Sequence, residues 1–120
     1  MSMNADFQVI LKKENDKGEI IDEPLTIVCQ SKNPARMVDF HCECIGKNGQ
    51  MLVGTFVEKA VEENLIVSPK NLIEQINESE NVIELYAEIM KEVAEFSDNP
   101  KRYRLAKETS KLKDKQQSNK

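Results

Sequence analysis

Apolar and polar positions alternate with a period of two in two stretches near the start of the chain. Phe7, Val9 and Leu11 alternate with Gln8, Ile10 and Lys12, and Leu25, Ile27 and Cys29 alternate with Thr26, Val28 and Gln30. Successive strand residues point to opposite faces, so this period predicts strands with one buried face, over about 7–13 and 25–30. Residues 13–19 between them are polar, with an Asn-Asp pair and Gly18, which is turn chemistry. Ile20 and Ile21 offer a backward extension of the second strand, and Pro24 marks an edge or a bulge. Two strands alone are marginal in water, so helices must cover the hairpin.

After residue 33 the period becomes helical. Asn33-Pro34 reads as an N-cap followed by proline at the first helical position, and Met37, Phe40, Cys44 and Ile45 form one stripe. Residues 46–49 (Gly-Lys-Asn-Gly) break that helix, and a second stripe follows through Leu52, Val53, Phe56, Val57, Ala60, Val61 and Leu65. Ser68-Pro69 reads as another cap-plus-proline start, for a short helix with Leu72, Ile73 and Ile76. Residues 77–81 form a polar joint with Ser79 as a cap. The longest helix then carries Val82, Tyr86, Ile89, Met90, Val93 and Phe96 on one side and Glu84, Glu88, Lys91, Glu92 and Glu95 on the other. Asn99-Pro100 is a third cap-like junction. The prediction is one α+β domain over 1–98: an N-terminal β-hairpin, then a mainly helical body across about 34–97. Residues 99–120 are expected to form a flexible basic C-terminal tail, partly helical and then disordered from residue 114. Phe40, Phe56, Ile89 and Val93 are expected in the core.

Length permits one modest core, since a chain of 120 residues buries about two-thirds of its unfolded surface. Charge divides the chain. Residues 1–100 hold 9 Lys/Arg against 19 Asp/Glu, a net of −10, while residues 101–120 hold 8 against 2, a net of +6. An acidic body repels nucleic acid and anionic membranes, so only the tail can approach either. No apolar run reaches the ~20 residues of a membrane span and the start lacks a signal-peptide core, which predicts a soluble intracellular protein with no membrane partner.

The candidate chemistry is sparse. Three cysteines without export features are expected to stay as thiols. Cys29, His41, Cys42 and Cys44 are the residue types of a zinc site. On a helix, however, Cys42 and Cys44 point about 200° apart, and no C-x₂-C pair is present. Cys44 lies on the apolar stripe and reads as a small core residue. A Cys–His dyad would need surroundings that favour a thiolate, and the local charge is negative. Four scattered glycines make no phosphate loop. The expectation is therefore no catalytic, cofactor-binding or metal-ligating residue, no cofactor and no enzymatic activity. In the tail, Lys101, Arg102, Arg104 and Lys107 could neutralise phosphates and Tyr103 could stack on a base. That is the alternative function, a small nucleic-acid-associated regulator. A solvated helix end explains the same residues, so nucleic acid is not the expected partner.

The stretch Val61 to Leu72, and within it Asn64-Leu65-Ile66-Val67-Ser68-Pro69-Lys70, resembles the central phrase of the tail assembly chaperones of siphophages and prophages of Gram-positive bacteria. The resemblance spans about residues 5–98 and includes the N-terminal strands, the acidic body and the size. It implies a non-enzymatic protein of the host bacterial cytoplasm that holds the helical, aggregation-prone tape measure protein during tail assembly. It also implies self-association, and a frameshifted longer form in many members. It assigns no partner-binding residue.

Overall fold

The computed structural model describes residues 4–31 and 33–107. The expected disorder from residue 114 lies outside them. Two strands, β1 (Asn4–Glu14) and β2 (Ile20–Gln30), pair antiparallel in unbroken register, with Phe7 opposite Ile27 and Val9 opposite Leu25. The turn forms as its composition requires. The Asn15 side-chain oxygen accepts from the amides of Lys17 and Glu19, both at 2.9 Å, and Gly18 takes φ +80°, where a side chain would be strained.

Both strands are longer than expected, because the ladder continues into polar residues that carry no burial signal. Lys13 and Glu23 form an ion pair there at 3.2 Å. Ile20 and Ile21 do begin β2. Pro24 makes no bulge; it sits opposite Ile10, and beyond it the outer side of β2 pairs with another described strand only at Val28 and Cys29. Proline lacks an amide hydrogen and is tolerated on such an open edge.

Helix α1 (Pro34–Glu43) starts as expected, with the Asn33 side chain accepting from the Ala35 amide at 2.8 Å. Its buried stripe is Met37, Phe40 and Cys44; Ile45 is exposed. The glycine break forms a tight turn, closed by the Gly46 amide on the Gln50 carbonyl at 2.8 Å. Helix α2 (Val53–Glu62) buries Phe56, Val57 and Ala60, while Leu52 caps it and stands exposed. Asn64 at φ 62° ends α2 in a Schellman arrangement: the Leu65 amide reaches the Ala60 carbonyl and the Asn64 amide the Val61 carbonyl.

That reversal delivers a strand the hydrophobic pattern does not reveal. β3 (Ile66–Ser68) pairs antiparallel with β2, giving the sheet order β1-β2-β3. The expected helix start at Ser68-Pro69 is therefore wrong. Ser68 belongs to the sheet, the Ser68–Pro69 peptide is cis, and α3 (Leu72–Asn77) begins after Asn71. Ser79 does not cap the long helix either, because its hydroxyl donates to the Ile76 carbonyl at 2.6 Å.

Helix α4 (Val82–Asp98) follows Asn81, whose side chain is engaged elsewhere. Its oxygen accepts from the Lys12 amide at 3.0 Å and its nitrogen donates to the Ile10 carbonyl at 2.9 Å, while the Glu80 amide donates to the Lys12 carbonyl at 2.7 Å. The α3–α4 connection thus satisfies the outer edge of β1 as a neighbouring strand would.

The core lies between one face of the sheet and the helices. Phe7, Val9, Leu11 and Ile27 meet Phe40, Phe56, Leu85, Ile89, Val93 and Phe96, all buried. The four expected core residues are among them. Leu85 lies at the centre of the α4 stripe, and Tyr86 and Met90 at its margin. No helix among the described residues is long and apolar enough to cross a membrane.

Candidate partner-binding surface

The cysteine–histidine cluster separates in space. Cys29 faces the core from β2, its Sγ 3.6 Å from the Ala5 carbonyl oxygen. Burial, reinforced by the Glu92 and Asp6 carboxylates, pushes its thiol up to about 12. Cys44 is also buried, and burial raises its thiol in the same direction. Cys42, two positions away, is exposed. His41 is half-buried, with its ring 5.6 Å from Phe56 and 6.2 Å from Phe40. Buried thiols held protonated are poor nucleophiles and poor metal ligands. Among the described residues no group of three or more His, Cys, Asp or Glu side chains is placed to hold a metal ion.

Two charged clusters had no signal in the sequence. Arg36 on α1 bonds Glu63 at the end of α2 through Nε at 2.8 Å and also pairs with Glu43 at 3.0 Å. This cluster ties α1 to α2. The other joins α4 to the helical segment 100–107. Asn99 opens that segment as its composition suggests, its side chain accepting from the Arg102 amide at 3.1 Å.

Tyr103 then turns inward. It is only 6% exposed and packs edge-on against Phe96 at 5.5 Å, and its hydroxyl donates to Glu92 Oε2 at 2.5 Å. Lys107 Nζ lies 3.2 Å from the same carboxylate and 5.3 Å from the Tyr103 ring centre. Burial, then the Glu92 carboxylate, raises the Tyr103 phenol far above its ordinary range.

Two expectations change here. Glu92, expected on the solvent side of α4, anchors this contact. Tyr103, weighed as a base-stacking residue, has its ring committed to Phe96 and the core. A body ending at residue 98 cuts through this packing. The partner of Glu92 lies eleven residues away beyond a helix break, a separation that neither helical nor strand periodicity encodes.

The surface carries apolar side chains among acidic ones. Ile83 at the start of α4 is 86% exposed, Val38 on α1 63%, and Ile45 and Leu52 beside the α1–α2 turn are also open to solvent. Between the end of α4 and segment 100–107 lies an open cleft of about 370 Å³, lined by Glu95, Asp98, Asn99, Arg102, Tyr103 and Ala106. No protein-family model, curated protein or solved structure matches this chain.

Proposed function

We propose that this chain is a non-enzymatic tail assembly chaperone that holds the tape measure protein during phage tail morphogenesis in the bacterial cytoplasm. The observation that carries the reading is the pairing of exposed apolar side chains on helices, Val38 and Ile83 above all, with a body of net charge −10. An amphipathic helix presents an apolar stripe bordered by cations, and an acidic surface with apolar points complements it in helix-in-groove fashion. The order of elements, hairpin before helices, agrees with the architecture that the resemblance implies. In this reading the phrase around Asn64 serves the fold, by ending α2 and placing β3, and the helical body binds. Self-association through the same apolar residues belongs to the proposal.

The test is co-expression with a tape measure fragment from the same genome. The full chain, and a chain ending at residue 107 so that Tyr103 keeps its place, should both hold the fragment in solution. Precipitation of the fragment with both, or a salt-dependent shift of DNA or RNA by the full chain alone, would refute the proposal and favour the tail-centred nucleic-acid reading.

A further inference from the structure

We infer that segment 100–107 is an internal stand-in for a partner helix: it occupies, in the free chain, a groove on α4 that a basic amphipathic helix of another polypeptide enters by displacing it. This rests on the proposed helix-binding role and names the site and the pattern of the ligand.

Four features of the segment support it. Asn99 breaks the chain after α4, at φ −153° and ψ 89°, so the segment is a separate helical piece hung from one joint. Tyr103 is its deeply buried side chain; Lys101, Arg102, Arg104, Leu105 and Ala106 are all exposed. An open cleft of about 370 Å³ lies beside Tyr103, between the end of α4 and the segment. Finally, the charges are complementary. Glu92 receives Tyr103 and Lys107, and Glu95 and Asp98 line the same cleft as Arg102.

The groove thus recognises an aromatic residue and, one helical turn later, a lysine, on a helix with further cations. The ring sits on Phe96, its hydroxyl and the ammonium share one carboxylate, and positions i and i+4 lie on the same helical face. A tethered ligand competes through its effective concentration, about millimolar for short connections, so an outside helix binds weakly until the tether's own contacts are weakened.

The probe is a fluorescein-labelled helical peptide containing residues 99–107 of this chain within helix-favouring flanks. Its binding is followed by anisotropy with the intact chain and with Tyr103→Ala and Lys107→Ala chains. Lys107→Ala leaves the core ring in place, so it remains informative if Tyr103→Ala does not fold.

Tyr103→Ala should bind the peptide about tenfold or more tightly than the native chain, and Lys107→Ala about threefold, because their own segment holds the groove less well. The same peptide with its tyrosine replaced by alanine should lose that binding. Equal weak binding to native and folded variant chains would overturn the inference and make the segment a fixed part of the core. A concentration-dependent doubling of mass of the Lys107→Ala chain, without peptide binding, would also overturn it, identifying a second copy as the occupant. Failure of the co-expression test with success here would remove the tape measure protein as partner and leave the groove.

Discussion

The Cys29 thiol makes a quantitative prediction about alkaline stability. It lies fully buried on β2, with burial and the Glu92 and Asp6 carboxylates all favouring the protonated form, and it titrates at about 12 against an ordinary value of 9.0. A group whose folded pKa is raised adds stability that is fully present below the unfolded value and is lost as pH rises toward the folded one. At pH 10 the unfolded thiol is roughly nine-tenths ionised while the folded one stays protonated, so this group alone costs about 1.4 kcal/mol relative to pH 7. That figure depends on the unfolded value and hardly on how far above pH 10 the folded thiol titrates. Cys29→Ala removes it. Urea unfolding followed by circular dichroism, with reductant present, should be run on both chains at pH 7, 8, 9 and 10. The native chain's advantage over the variant should hold to about pH 8 and shrink by about 1.4 kcal/mol at pH 10. A constant difference across that range would refute the argument, and would mean that the Cys29 site stabilises a thiolate as readily as water does.

Asn81→Ala should destabilise the protein by about 1–2 kcal/mol, since it removes two hydrogen bonds to the β1 edge where water can partly replace them. Asn81→Ser should not restore the loss although serine is a good N-cap, because Asn81 makes no side-chain cap bond; unfolding curves of both variants, with hydrogen exchange at the Lys12 amide, check this. Phe40→Ala and Phe56→Ala should each cost about 3–5 kcal/mol, the two rings being buried and edge-to-face at 5.0 Å. Their double variant should fall short of the sum by about 0.5–1.5 kcal/mol in the same assay, and strict additivity would show that the rings do not interact directly.

By itself the sequence determined what depends on near neighbours. Period-two alternation placed the hairpin, the Asn15–Gly18 turn followed from side-chain-to-backbone bonding, and Asn33 and Asn99 capped as expected because a cap bond spans two or three residues. The stripes through Phe40, Phe56, Ile89 and Val93 found the core, since apolar burial is repeated at each helical turn. The fate of Cys44 was legible on the same ground.

Only the tertiary structure decided features whose partners lie far along the chain. β3 is three residues long, too short for a period, and exists because the Asn64 reversal lays it beside β2. That same pairing drew Ser68 into the sheet and moved the start of α3 to Leu72. Asn81 was legible only as part of a polar joint, and not as the cover of a strand edge 69 and 71 residues earlier. Glu92 was outward by helical arithmetic, and became an anchor because the chain breaks at Asn99 and lays Tyr103 and Lys107 back over it. A helix period states which face points away from the core; what later covers that face depends on a bend and a contact made elsewhere in the fold.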